Sequence, residues 1–413
     1  MDLTEFDPKA DRFMDSPWEF YRRLRVAAPI FLDTRHGIYF VTTYRLVDEV
    51  MKDAARFSSQ VDRASMRKGG LPEKVREIRA RAIPLSPTMS QNDTASHDVF
   101  KALVSPFFTP RNLTRLEPFI TARTTALLKA IPRNAPVDFV REFAVPLPIA
   151  VIGEALGMRE CGDNQLKRWS DAFADEIGLL TSDSRAIEIA ELTVQCHEAM
   201  LEICAARRRE PRADIISHLA NAKITDPSGQ QRPLVDGELL SMLTQMLVAG
   251  NETTTNTLSS GMLRLATNPL LFHRLRSDRQ SIGTFVEEVL RLESPVQGQF
   301  RRALVDTQLG GIDIPAGSLL HCRLASANRD ESVFGDDSNT LQLDKRASAQ
   351  HKAFGAGMHF CLGAMLSRLE LRTAFDMIAR DFADVALAVD SKTLRYHTHF
   401  HLRGLETLPV MLG

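Results

Sequence analysis

Residues 354–363 read Phe354-Gly355-Ala356-Gly357-Met358-His359-Phe360-Cys361-Leu362-Gly363, and an apolar series follows at helical spacing: Leu362, Met365, Leu366 and Leu369. Two glycines free the backbone to turn tightly ahead of a single cysteine. The spacing predicts a helix that begins at that cysteine. A thiol at a helix N-terminus feels the positive end of the dipole and unpaired amides, and both favour thiolate. A thiolate presented in this way is a nucleophile, a redox sensor or a metal ligand. A dinucleotide loop is excluded, because Phe360 stands where the third glycine of G-x-G-x-x-G is required.

The rest of the chain narrows the setting. It has 413 residues, a formal net charge of −1 and 44% hydrophobic residues, which suits a globular protein with a large core. That charge gives no case for nucleic-acid binding. The first residues, Met1-Asp2-Leu3-Thr4-Glu5-Phe6-Asp7, are acidic and lack a signal-like apolar run. No segment has the ~18 uninterrupted apolar residues of a membrane span. The expectation is a soluble, cytoplasmic protein without a membrane anchor. The five cysteines (Cys161, Cys196, Cys204, Cys322, Cys361) form no C-x-x-C pair, so a disulfide framework or zinc ribbon is not expected. The four other than Cys361 read as small core or partly buried residues.

Most of the chain has helical periodicity. Helices are predicted near 18–28, 44–52, 96–108, 116–131, 139–157, 164–181, 185–208, 213–222, 272–276 and 282–292, with one unusually long stretch over Asp236 to Thr267. Residues 63–95 read as loop with short helical pieces. Strand patterns cluster at about 29–43, 296–325 and 385–410. The fold class is therefore mainly α with a smaller β-rich portion, in a single domain over 1–413.

Three further motifs accompany the cysteine loop. Inside the long helix lies Ala249-Gly250-Asn251-Glu252-Thr253-Thr254-Thr255, whose glycine and β-branched residues suit a helix interior poorly. Such local conflict is expected at functional sites. Glu288-Val289-Leu290-Arg291 puts a carboxylate and a guanidinium on one helix face. His97-Asp98-Val99-Phe100-Lys101 places a histidine and a lysine four apart.

Together, and occurring along the chain in the family's order, these segments resemble the cytochrome P-450 superfamily, specifically its soluble bacterial members, from about residue 15 to the C-terminus. The resemblance implies the P-450 fold, with the long helix over a haem b (iron protoporphyrin IX). Cys361 would be the axial thiolate and so the metal ligand. Phe354 and Gly355 would border the sulfur, and Ala249 and Gly250 the oxygen side, Gly250 leaving room for dioxygen. Glu252 and Thr253 would be the catalytic acid–alcohol pair that delivers protons. His97, Lys101 (in place of the family's arginine), Arg301 and His359 would face the propionates. Glu288 and Arg291, completed by Arg346, would form a buried structural network.

The implied activity is monooxygenation: one oxygen atom of dioxygen enters a small hydrophobic organic substrate, by hydroxylation first of all, and the other becomes water. Electrons would come from a ferredoxin or flavodoxin with its reductase, docking near Lys101, Arg111, Lys352 and Arg372. The protein is expected to be a monomer. The pocket is expected to include Val248, Ala249, Val296, Phe400, His401 and Leu402, with Ile83, Leu85, Met89, Leu179 and Leu180. Peroxide-driven or oxygen-independent haem-thiolate chemistry is the enzymatic alternative, and a haem-binding sensor or carrier is the alternative from another class. Glu252 and Thr253 weigh against both. Tyr396-His397-Thr398-His399-Phe400-His401-Leu402 sets three histidines on one strand face. With no cluster of carboxylates or cysteines nearby, a solvent-facing edge is expected there rather than a metal site.

Overall fold

The computed structural model describes residues 13–61, 70–178, 181–226, 228–344 and 350–413. It is mainly helical, with a five-stranded sheet and three smaller ones. Two compact units partition the chain: Met1–Val61 with Ile120–Leu147 and Thr253–Gly413, and Asp62–Phe119 with Pro148–Glu252. Their boundary falls inside the long helix, Asp236–Ala266.

In the first unit, the hairpin Ile30–Asp33/Ile38–Val41 joins the later strands of the β-rich region. Leu319–Cys322 runs parallel to Ile38–Val41 and antiparallel to Gln299–Ala303, which pairs with Phe57–Ser58. One face of this sheet packs on helix Tyr44–Lys52 through Val41, Leu46, Val47, Val50, Leu320 and Cys322. Strand alternation turns Arg301 inward, while the neighbouring Arg302 stays half-buried. A second sheet joins Val385–Leu387, Pro409–Leu412 and Val137–Asp138.

The helix after the cysteine runs Ala364–Asp381 and does not start at Cys361. The Cys361 amide donates to the Phe354 carbonyl at 2.9 Å, which draws the cysteine back into the loop, and a turn through Gly363 opens the helix. The buried face is Leu366, Glu370, Leu371, Ala374, Phe375 and Ile378, whereas Met365 is exposed. This helix meets the long helix closely. A Cβ on Gly261 would lie 2.4 Å from the Phe375 ring, so only glycine fits there.

In the second unit, helices Asp163–Gly178 and Asp183–Arg209 pack on each other. The loop 84–90 is pinned along the first half of the long helix, about one bond per turn. Ser86 N–H donates to the Gly237 carbonyl, Thr88 and Ser241 share a hydroxyl contact at 2.9 Å, and the Ser90 N–H and hydroxyl donate to Gln245. Among the described residues, no helix is long and apolar enough to cross a membrane.

Candidate active site

The cysteine loop is held from both ends. Gly355 and Gly357 sit at φ +74° and +68°, a left-handed geometry that side chains rarely adopt. A Cβ on Gly357 would stand 2.6 Å from the Met51 carbonyl oxygen, so the glycine is also required by space. Cys361 is half-buried. Burial pushes the other four thiols upward, Cys204 to about 11 and Cys322 to about 12; Cys196, Cys204 and Cys322 are buried and Cys161 is partly buried.

Two ion-pair clips brace this loop. Arg291 binds Glu288 in a fork (2.7 and 2.8 Å), and both are almost fully buried. The guanidinium also donates to the carbonyls of Asn328, Ser338 and Thr340. The Asn328 side chain then accepts from the Lys352 amide, at the foot of the loop. The third member expected of this network, Arg346, lies outside the described residues.

The second clip was not legible from the sequence. Glu287 binds Arg368 in a fork (2.8 and 2.8 Å) and His351 at 3.2 Å. Burial alone would raise the Glu287 carboxyl, but Arg368 and His351 outweigh it and hold it down at about 2. Arg368 stacks 4.4 Å from the Phe354 ring, so the clip fixes the aromatic residue that opens the cysteine loop. Lys352 was expected to face a docking partner. It is instead buried, with its ammonium 2.5 Å from Asp48.

The long helix is buried nearly all round between Leu239 and Met262. The exceptions are Thr244, Gln245, Val248, Ala249, Gly250, Glu252 and Thr253. Gln245, Val248, Ala249, Glu252 and Thr253 recur at i, i+3, i+4, i+7 and i+8, which is one helix face. Ala249 is exposed on it. Gly250 is also required by a packed neighbour. The room left by its missing side chain is taken by Ile152, 2.8 Å from where a Cβ would be.

The three threonines have separate environments. Thr254 meets the Ser367 hydroxyl at 3.2 Å, and Thr255 donates to the Ala144 carbonyl at 3.0 Å. Both are buried, and only Thr253 lies on the accessible stripe. Glu252 accepts from Asn251 at 3.0 Å and from Lys167 at 3.3 Å. Beside the stripe, Thr244 contacts His197 at 3.3 Å, a residue the sequence did not single out.

Cationic and donor groups are buried as a haem's carboxylates require. Arg301 is 4% exposed on its strand, and His97 is 2% exposed on helix Ala95–Val104, where half-buried Lys101 follows one turn later. His359 is half-buried in the turn Gly357–His359. Within the first unit, the half-buried Cys361 sulfur on its glycine cradle and the buried Arg301 guanidinium are donors that fit a haem.

The C-terminal turn corrects two expectations. Phe400 stacks on Phe300 (5.4 Å, 9° between planes) beside Phe40 and the Arg323 guanidinium. His401 reaches His321 and the Gly298 carbonyl. At 2% and 3% exposure, both belong to the core and not to a pocket surface. Leu402 is half-buried and bridges Val296, also half-buried. His399 and His401 are buried while His397 is exposed, so the three histidines do not form a solvent-facing edge. Among the described residues, no group of three or more His, Cys, Asp or Glu could hold a metal ion. The pocket candidates Leu179 and Leu180 lie outside the described residues.

Comparison with known proteins is consistent with this arrangement. The profile of the family described as Cytochrome P450 matches residues 159–402. Cytochrome P450 107B1 of Saccharopolyspora erythraea is 32% identical, over 100% of this chain and 98% of its own length. The vitamin D(3) 25-hydroxylase of Pseudonocardia autotrophica is 34% identical, over 97% and 95%. The solved structure of cytochrome P450 CYP109Q5 from Chondromyces apiculatus superposes with a TM-score of 0.86 at 30% identity, over 100% and 99% of the two chains.

Proposed function

The chain belongs to the cytochrome P450 family and is a haem-thiolate monooxygenase, and from that premise we propose how its residues divide the work. Cys361 would hold the iron of a haem b through its sulfur. His97, Lys101, Arg301 and His359 bind the propionates, and Phe354, Gly355, Ala249 and Gly250 border the ring. When bound, the haem supplies the iron centre at which dioxygen is activated, and the thiolate's electron density favours O–O cleavage. Glu288 and Arg291, with Arg346, hold the loop that carries the sulfur.

Glu252 and Thr253 are the catalytic pair. The Glu252 carboxyl releases a proton, and the Thr253 hydroxyl takes it up while donating its own toward the oxygen side. The observation that carries this reading is the accessible stripe on an otherwise buried helix, ending at these two residues. The substrate is a small hydrophobic organic molecule. It is hydroxylated against a surface to which Val248, Ala249, Val296 and Leu402 contribute. Apolar side chains on the stripe support this, as does the hydroxylase named among the relatives. Electrons arrive from a ferredoxin or flavodoxin with its reductase. Residues 1–413 act as one catalytic domain in a cytoplasmic monomer.

Thr253→Ala tests the proton role against its neighbour. With NADH, a ferredoxin and its reductase, this variant should release roughly tenfold more hydrogen peroxide per product formed. Thr254→Ala should leave that ratio unchanged and cost about 1 kcal/mol of stability through its lost hydroxyl contact. Equal ratios in the two variants would remove Thr253 from the mechanism.

A further inference from the structure

Two polar side chains, Thr244 and Gln245, lie beside and on the accessible stripe, each one turn before Val248 and Ala249. They differ in what they have left to offer. The Gln245 carbonyl oxygen accepts from the Ser90 amide and hydroxyl, and its amide nitrogen donates to Thr88 at 2.8 Å and to Ser241 at 3.0 Å. Both lone pairs and both N–H groups are thereby used.

Thr244 is not saturated. Among the described residues its hydroxyl meets one partner, Nε2 of His197 on helix Asp183–Arg209, at 3.3 Å. A helical hydroxyl can turn back to the carbonyl four residues earlier, as those of Thr193, Thr257 and Ser259 do at 2.8 Å. Among the described residues Thr244 makes no such bond.

His197 decides the direction of the contact. Its ring is 5% exposed and stacks on Phe173 (6.2 Å, 20° between planes). Burial lowers its pKa to about 4, so at pH 7 the imidazole is neutral and carries a single N–H. Its Nδ1 is sealed from solvent and has no hydrogen-bond partner among the described residues. A buried N–H without an acceptor is rarer than a buried acceptor without a donor. The proton therefore sits on Nε2 and is donated to the Thr244 oxygen. The hydroxyl proton of Thr244 is left to be given elsewhere, on a half-buried side chain in line with Val248.

We propose that Thr244 is a specificity-determining residue whose hydroxyl donates to a ketone or hydroxyl oxygen of an otherwise hydrophobic substrate, with His197 as the positioning residue that keeps it from turning back to the Leu240 carbonyl. This rests on the reading of Val248 and Ala249 as substrate surface. The helix also sets where that oxygen lies. At a rise of ~1.5 Å per residue, Thr244 stands about 6 Å along the axis from Val248 and about 7.5 Å from Ala249. The substrate is thus a molecule with one oxygen acceptor roughly 6–8 Å from the apolar part that lies against those two side chains.

The test uses the full-length haem-loaded enzyme and matched probes that differ in one ketone oxygen: menthone and menthane, cyclododecanone and cyclododecane, androstanone and androstane. Dissociation constants are measured by calorimetry and by the Soret shift, and the tightest-binding ketone is compared with its parent hydrocarbon. Thr244→Val keeps the side-chain shape; it should weaken the ketone about five- to tenfold, the worth of one hydrogen bond, and leave the hydrocarbon within about twofold. Thr244→Ser retains the donor and should keep the wild-type ratio of the two constants. His197→Phe preserves the stack on Phe173 and releases the Thr244 hydroxyl to Leu240, so it should lose most of the same ratio with the hydrocarbon again unchanged.

A purely structural role for either residue would weaken both probes alike. An unchanged ratio in Thr244→Val, a parallel loss of both probes, or no binding of any ketone would overturn the proposal. The predicted change of ratio by calorimetry without any Soret shift would instead overturn the haem-side reading while this one stood.

Discussion

Replacing Glu287 with Gln removes one negative charge from the clip that holds the cysteine loop and leaves its shape nearly unchanged. The magnitude follows from proton affinity. The carboxyl is held at about 2 instead of its ordinary 4.5. At ~1.36 kcal/mol per tenfold change in affinity, the ionised form contributes about 3 kcal/mol to folding. The sign is that of a depressed carboxyl: the stability is present above pH 4.5 and is lost as pH falls toward 2. Glu287→Gln should therefore lose about 3 kcal/mol at pH 7, and Arg368 and His351 would be left without their anion. Because Arg368 lies over Phe354, the loss should appear first at the haem. Equilibrium urea unfolding followed at the Soret band and by far-UV circular dichroism measures both. The Soret midpoint should move down at least as far as the dichroism midpoint. A loss under ~1 kcal/mol, the range of an exposed pair, would refute the account of this clip.

Gly357→Ala forces a side chain into a left-handed position and against the Met51 carbonyl. It should cost roughly 1–3 kcal/mol and lower the haem-to-protein absorbance ratio of the purified enzyme. Wild-type haem content would contradict the cradle. Phe400→Ala should cost about 3–5 kcal/mol in urea unfolding, as a core deletion does. Leu402→Phe should instead change the product distribution with little effect on stability, and the reverse pattern would return Phe400 to the pocket surface.

Long elements with strong periodicity are legible in this sequence. Tyr44–Lys52 and the long helix stand where their apolar spacing places them, and Ser294-Pro295 closes the helix Ile282–Glu293. The start of the helix after the cysteine is not legible, because the bond from the Cys361 amide to the Phe354 carbonyl outweighs local propensity. Glu288 finds its partner three residues away, which a helical reading can see. Glu287 finds His351 and Arg368, 64 and 81 residues on, and no local pattern reports that. The same holds for Lys167 and Glu252, 85 residues apart. At the C-terminal turn, adjacent residues part company: Leu402 keeps accessible surface, while Phe400 enters a core assembled from strands far away in the chain. Gly250 shows the remaining limit, since a motif can mark a glycine without saying which neighbour fills its space.

The central claim is that the Cys361 sulfur is bound to haem iron as thiolate. Reducing the purified enzyme and adding carbon monoxide tests it directly. The account predicts an absorption band near ~450 nm, characteristic of thiolate ligation, and its loss in Cys361→His while haem is retained. A wild-type enzyme without that band, or a Cys361→His variant that keeps it, would contradict the account.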